Sequence, residues 1–387
     1  MKKRIPYGRQ TIGGSDIAAV VKVLRSDWLT QGPAVSDFER ALAEYTGARF
    51  AVCCSNGTAA LHLACLAAGV TARDRVITAA VTFVASANCG VYCGASPVLC
   101  DVHPDTALIV ADQIRRRLAG NTKAVIPVHY AGQSADMRTI RSIVAGTRTL
   151  VIEDAAHALG AVYEGAPVGS CRYSDMTIFS FHPVKAITTG EGGAVTTNNR
   201  GLYDKLLSLR NHGIVRDGRT RQHGEWFYEM RTMGFNYRMT DIQAALGISQ
   251  LRQLDGFIRR RRMLARVYDR AFHNSPWVDI PRETGFNRCA YHLYPVRLKD
   301  SCAARRRAIF DALRNEGIGV QVHYIPVYLH PFYRKYGFRR SDFPGAEDFY
   351  AREISLPLYP GLTASQQRRV IRTFIRVAEF IAKGKKK

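Results

Sequence analysis

The sequence predicts an α/β protein, a mostly parallel sheet covered by helices and joined to a smaller C-terminal α+β domain. Three observations predict it. Short β-branched runs alternate with helical patterns between Phe50 and Thr196, and strands that alternate with helices pair in parallel. The pattern changes from about Gly256 onward. The chain, at 387 residues and 47% hydrophobic content, is also long for one compact domain. The expected division is a large domain over residues 1–255 and a small one over residues 256–387.

In chain order, seven runs read as strands: Phe50–Cys53, Arg75–Thr78, Pro97–Cys100, Ala124–Val128, Leu150–Ile152, Met176–Phe179 and Gly193–Thr196. Asp241–Arg262, rich in Ala, Leu, Gln and Arg, reads as a long helix that leaves the large domain. Beyond it, Tyr291–Val296 and Gly319–Val322 read as strands, Ala303–Asn315 as a helix, and a basic helix starts at Ala364. No internal repeat or coiled coil is evident, and the Lys383–Lys387 tail reads as a disordered end.

Composition excludes several classes of function. No apolar run reaches the length of a membrane span, about 18 residues, and Met1-Lys2-Lys3-Arg4 is not followed by the apolar stretch of a secretory signal. A cytoplasmic protein with no membrane partner is expected. Nine cysteines form an odd set in apolar surroundings, with no C-x-x-C pair and no companion histidine spacing, so reduced packing cysteines and no metal centre are expected. The Asn56-Gly57-Thr58 sequon then has no use in glycosylation. The net charge of +23 and pI near 9.9 invite a nucleic-acid reading. Distribution argues against it, because basic residues cluster only at Arg259–Arg262, Arg305–Arg307 and the tail, beside no nucleic-acid motif.

The chemistry concentrates in the segment from Ser180 to Gly193, S-F-H-P-V-K-A-I-T-T-G-E-G-G, which sets Lys185 between a strand end and a Gly-rich turn. A lone lysine in such a turn is ordinarily a solvated loop residue. Held on a short tether and partly deprotonated by its surroundings, it is also how a Schiff-base lysine is presented. Upstream, the apolar run Thr149–Ile152 leads into Glu153-Asp154-Ala155-Ala156-His157. That reads as a buried strand delivering an acid at its C-terminal end, where α/β sheets carry their sites. A strand-borne carboxylate and a turn-borne lysine are the minimal pair for pyridoxal phosphate (PLP): the lysine engages the cofactor carbonyl and the aspartate keeps the pyridine nitrogen protonated. Ser55-Asn56-Gly57-Thr58 opens an Ala/Leu helix. Such an N-terminus binds a phosphate or is simply a capped helix start.

Together these motifs, spread from about Tyr7 to Pro360, resemble the sugar aminotransferases of the DegT/DnrJ/EryC1/StrS family, fold type I PLP enzymes. The resemblance implies Lys185 and Asp154 as catalytic residues, and Gly57, Thr58 and Ser180 as holders of the cofactor phosphate. It implies that Phe83 stacks on the pyridine face and that His157 contacts the ring hydroxyl. Asn236, in Gly234–Thr240, would cross to the neighbouring subunit's cofactor phosphate, which implies a homodimer with shared sites. A core phenylalanine is the plainer reading of Phe83, and a helix start capped by Thr240 or Asp241 that of the Asn236 segment. Members that dehydrate or deoxygenate sugars carry histidine where Lys185 stands, so Lys185 implies transamination.

Other segments are most similar to the pseudaminic-acid branch of the family: Trp28–Pro33, Pro127–Gly132, Val322–Tyr328, Ala346–Tyr350 and Ile354–Pro357. That branch aminates C4 of UDP-2-acetamido-2,6-dideoxy-β-L-arabino-hexos-4-ulose with glutamate as donor. His323, Tyr324 and, near the N-terminus, Tyr7 are then the candidates for the nucleotide-sugar side, although half-buried tyrosines are common. The branch acting on the UDP-4-keto-pentose of lipid A modification shares Pro127–Gly132 and Glu153–His157 and stays open as the alternative, followed by GDP- and dTDP-keto-sugar enzymes. The positive charge would draw in a dianionic nucleotide sugar and glutamate.

Overall fold

The computed structural model describes residues 4–218 and 222–383. The expected basic ends, Met1–Lys3 and the tail beyond Lys383, lie outside the described residues. Seven strands form the main sheet: β1 (Phe50–Cys54), β2 (Arg75–Ala79), β3 (Ser96–Cys100), β4 (Thr122–Ile126), β5 (Leu150–Asp154), β6 (Met176–Ser180) and β7 (Gly193–Thr197). Their order is β1-β7-β6-β5-β4-β2-β3. Only β7 runs against the rest, pairing antiparallel with both β1 and β6, while the other neighbours are parallel. All seven strands therefore fall where the sequence places them. Val151–Asp154 of β5 and the whole of β7 are buried, as expected of strands covered on both faces.

The helix Asp241–Phe272 starts on a capping box, in which Thr240 Oγ1 accepts the Gln243 N–H and the Gln243 side chain accepts the Thr240 N–H. Its 32 residues span about 48 Å. Leu251, Leu254 and Ile258 pack into the core beside the main sheet, and Leu264, Ala265, Tyr268 and Phe272 into a second core. The helix continues past the expected end at Arg262 because its apolar stripe carries on into that second core. The expected division near residue 255 thus falls inside a helix that serves both.

The second core is built on a three-stranded antiparallel sheet, Val278–Asp279, Tyr294–Leu298 and Glu353–Leu356, in that order. The basic helix Ala364–Lys383 packs on it through Gln367, Val370, Thr373, Phe374, Val377 and Ala378, a helical stripe that leaves the arginines outside. Three boundaries differ from expectation. Tyr291 has φ +50°, so the strand begins only at Tyr294. The helix expected over Ala303–Asn315 breaks at Arg305 into Asp300–Ala303 and Arg306–Asn315. Gly319–Val322 forms no strand: Ile5 bridges Ile318 and Gln321 bridges Ser355, so the N-terminal arm and the Glu353–Leu356 strand share the segment between them.

All nine cysteines are free; eight are buried and Cys93 is part-buried. Burial pushes the Cys93 thiol up to about 12. Among the described residues, no helix is long and apolar enough to cross a membrane.

Candidate active site

Four strand ends converge. After β1, the Asn56 side chain accepts the Ala59 N–H at 2.8 Å and caps the helix Gly57–Ala67, leaving the first N–H groups of that helix for a ligand. The turn touches the lysine loop through two glycines. A Cβ on Gly57 would lie 2.8 Å from Ser180 Cβ, and one on Gly193 would lie 2.4 Å from the Asn56 carbonyl oxygen. No side chain fits at either place without moving backbone. Ser55 N–H donates to the Tyr237 carbonyl at 2.8 Å, which brings the Gly234–Thr240 segment to the same turn.

The lysine loop closes on itself. Phe181 N–H donates to Gly192 O at 2.8 Å, Thr189 N–H to Phe181 O at 3.0 Å, and Lys185 N–H to His182 O at 2.9 Å. Burial lowers the Lys185 ammonium from 10.5 to about 8, against the opposing pull of the Asp154 charge. Asp154, at the end of β5, is buried. Its Oδ2 accepts the Ser86 hydroxyl at 2.6 Å and its Oδ1 the Ala156 N–H at 3.1 Å. Ser86 Oγ lies 2.7 Å from Thr82 Oγ1. With Ser86 donating to Asp154, Thr82 donates to Ser86, and the carboxylate is held by a two-hydroxyl chain.

His157 is buried, and burial first, then the Lys185 and His323 charges, push its imidazole well below its usual range, so it is neutral. Its Nε2 lies 2.9 Å from the Tyr324 hydroxyl, while its Nδ1 is buried with no partner among the described residues. The His292 ring lies 4.3 Å away, centroid to centroid. Tyr324 also meets Phe83, at 6.0 Å between rings, and Phe83 is 57% exposed. His323 is anchored at three atoms: Nδ1 lies 2.8 Å from Ser355 Oγ, its N–H donates to Glu353 at 2.8 Å, and its carbonyl accepts the Tyr130 hydroxyl at 2.5 Å. Tyr7 packs on it at 5.5 Å between rings.

One connected set thus contains Lys185, Asp154, His157, Phe83, Tyr324, His323 and Tyr7, with Gly57, Thr58 and Ser180 at the adjoining turn. Asn236 stands apart: it is exposed, and its backbone bridges Asn211. The exposure of Phe83 runs against the plainer reading of it as a core residue. Ser86, Tyr130, His292, Glu353 and Ser355 were not singled out from the sequence. Tyr130 and Ser355 at least lie in stretches marked by the resemblance, Pro127–Gly132 and Ile354–Pro357, and Ser86 lies three residues beyond Phe83. The others meet the site only through the fold.

The donors and acceptors fit a phosphorylated pyridine aldehyde: helix N–H groups and Ser180 for a phosphate, a buried carboxylate, an amine near neutrality, and an unpartnered buried imidazole nitrogen. A sheet of this order with that pair at its strand ends defines a fold type I PLP-dependent enzyme. The model of the DegT/DnrJ/EryC1/StrS aminotransferase family matches residues 10–375, and the chain belongs to that family.

Among its relatives, the spore coat polysaccharide biosynthesis protein SpsC of Bacillus subtilis is 40% identical over 93% of both chains. The UDP-4-amino-4,6-dideoxy-N-acetyl-β-L-altrosamine transaminase of Campylobacter jejuni is 37% identical over 98% of this chain and 99% of its own. Helicobacter pylori PseC, an aminotransferase of pseudaminic acid biosynthesis, superposes with a TM-score of 0.91 at 31% identity, covering 97% of this chain and all of PseC. The PLP form of Spr1654 from Streptococcus pneumoniae, a candidate sugar aminotransferase, superposes with a TM-score of 0.91 at 33% identity, over 97% and 99% of the two chains. The chain is a PLP-dependent nucleotide-sugar aminotransferase.

Proposed function

We propose that this enzyme moves the amino group of glutamate to C4 of UDP-2-acetamido-2,6-dideoxy-β-L-arabino-hexos-4-ulose, releasing 2-oxoglutarate and UDP-4-amino-4,6-dideoxy-N-acetyl-β-L-altrosamine. The observation that carries the transamination is Lys185, a part-buried amine whose ammonium is lowered to about 8 beside the Asp154 carboxylate. The choice of sugar is supported by the Campylobacter relative, which carries that product in its name. When bound, PLP supplies the electron sink and carries the amino group from donor to acceptor.

The chain's own residues do the rest. Lys185 would hold the cofactor through its amine, and the same amine is placed to take the proton from the donor α-carbon and to return one to sugar C4 from the same face. Asp154, fixed by Ser86, keeps the pyridine nitrogen protonated. Gly57, Thr58 and Ser180 would hold the phosphate, Phe83 would cover the ring, and the neutral His157, whose Nδ1 has no partner among the described residues, would meet the ring hydroxyl. His323, Tyr324 and Tyr7 face the nucleotide sugar. Asn236, exposed next to the phosphate turn, completes the neighbouring site in a homodimer. Nine free thiols suit a reducing cytoplasm.

The test is spectroscopic. Enzyme converted by glutamate and desalted is mixed with the UDP-hexosulose. Return of the visible band of the lysine-bound cofactor, with NMR of the amino sugar giving its C4 configuration, supports the reading. Persistence of the aminated cofactor's band rejects this sugar and makes the UDP-4-keto-pentose the next substrate to try.

A further inference from the structure

Glu353 is fully buried in the edge strand Glu353–Leu356 and reaches the site only through its neighbours. One oxygen, Oε1, lies 2.5 Å from Ser355 Oγ, and Oε2 accepts the His323 N–H at 2.8 Å. Ser355 Oγ in turn lies 2.8 Å from His323 Nδ1. A serine between a carboxyl group and an imidazole nitrogen has a single hydrogen to place. That hydrogen must point one way or the other.

We propose that Glu353 and Ser355 are positioning residues that dictate which ring nitrogen of His323 carries its hydrogen, and so whether Nε2 presents a donor or an acceptor to the sugar nucleotide. With Glu353 ionised, Ser355 donates to Oε1 and accepts from Nδ1–H, leaving Nε2 bare. With Glu353 protonated, its Oε1–H donates to Ser355, the serine hydroxyl donates to Nδ1, and the hydrogen of the ring sits on Nε2. The two states differ by one proton on Glu353 and one prototropic shift in the neutral ring.

The surroundings make the switch usable. Burial, and then the Lys185 charge, hold His323 down at about 3, so the ring stays neutral with one hydrogen to assign. Burial raises Glu353 to about 8, with the Ser355 and His323 hydrogen bonds and then the Arg306 charge opposing it. Arg306 comes from the helix Arg306–Asn315 and stacks on Tyr350 at 4.6 Å. Arg297, opposite Glu353 in the antiparallel pair, is engaged by Asp105 at 2.9 Å and reaches Asp279 at 3.8 Å. The hydroxyls of Tyr130, Tyr324 and Tyr7 also stand near, and burial pushes all three up, so all stay protonated; burial holds the imidazoles of His157 and His292 well below their usual range, so both stay neutral. Sign follows from these: Nε2 is a donor at neutral pH and becomes an acceptor as pH rises through about 8.

The assignment of His323 to the sugar side belongs to the proposed function, but the tautomer can be read without turnover. In the holoenzyme labelled with ¹⁵N-histidine, the protonated and bare nitrogen signals of His323 should exchange places near pH 8. In Glu353→Gln, the amide oxygen keeps the His323 N–H and its NH₂ faces Ser355, so Nε2–H should persist at every pH. Ser355→Ala should uncouple the ring from pH altogether. With sugar, Glu353→Gln should shift KM several-fold above pH 8 and leave the glutamate half-reaction unchanged. A wild-type tautomer that ignores pH, or a Gln variant that still switches, overturns the proposal. A normal switch with no effect on sugar KM would instead overturn the placement of His323 against the substrate.

Discussion

The cofactor side and the sugar side of this site are built in opposite ways. Lys185, Asp154, Ser180 and Gly57 each stand at the end of a strand of one sheet, or one turn beyond it, and contacts such as Gly57 against Ser180 are made by neighbouring strand ends. His323 and Tyr324 come from the C-terminal part of the chain and Tyr7 from its N-terminal arm, and they are fixed by Glu353, Ser355, Tyr130 and His157, which lie on three different segments. A side fixed by local motifs tolerates little change at any one residue. A side fixed by long-range contacts can be retuned through residues that never touch the ligand.

The largest test of that contrast is Lys185→Ala, which should lower turnover by at least about 10⁴-fold, the upper range for a lost proton-transfer group; substantial activity in the variant would end the assignment. Gly57→Ala comes next. Its Cβ would press on Ser180, and overpacking of about 1–3 kcal/mol should weaken PLP retention roughly 5- to 150-fold, measured by cofactor titration of the apoenzyme with unchanged circular dichroism. Third is pH. Because Lys185 is lowered to about 8, its reactive free-amine form grows as pH rises, and the rate of PLP capture by apoenzyme should climb about tenfold from one unit below that pKa to one above and then level off. A rate still climbing at pH 10 would mean an unperturbed lysine.

The smallest effect belongs to the sugar side. Tyr324→Phe removes one hydrogen bond to His157, about 0.5–1.5 kcal/mol. It should raise sugar KM roughly 2- to 10-fold while the glutamate half-reaction keeps its rate. An equal loss in both half-reactions would erase the distinction between the two sides.

The same contrast explains what was legible in the sequence. All seven main strands, the lysine turn and the acid of β5 could be read directly, because each is a short-range pattern of β-branched runs, glycine turns and one charged residue. His323 and Tyr324 were found only by resemblance, and Glu353 and Ser355 not as site residues at all: nothing in E-I-S-L says that the segment lies beside Gln321. Gly319–Val322 looked like a strand because its composition suits one, but its partners are the distant Ile5 arm and Ser355. The left-handed backbone at Tyr291 likewise follows from packing that no local propensity encodes.

The nine unpaired thiols have a practical use. A soft alkylating reagent reacts with thiolates, and here eight sulfurs are walled in while the ninth, Cys93, is held mostly as thiol by its raised pKa. Alkylation of the native enzyme should therefore be slow. Each molecule that opens fully offers nine sites at once, so mass spectrometry of a brief labelling pulse would sort untouched chains from ninefold-modified ones. That counts opening events directly, with no added chromophore or engineered probe.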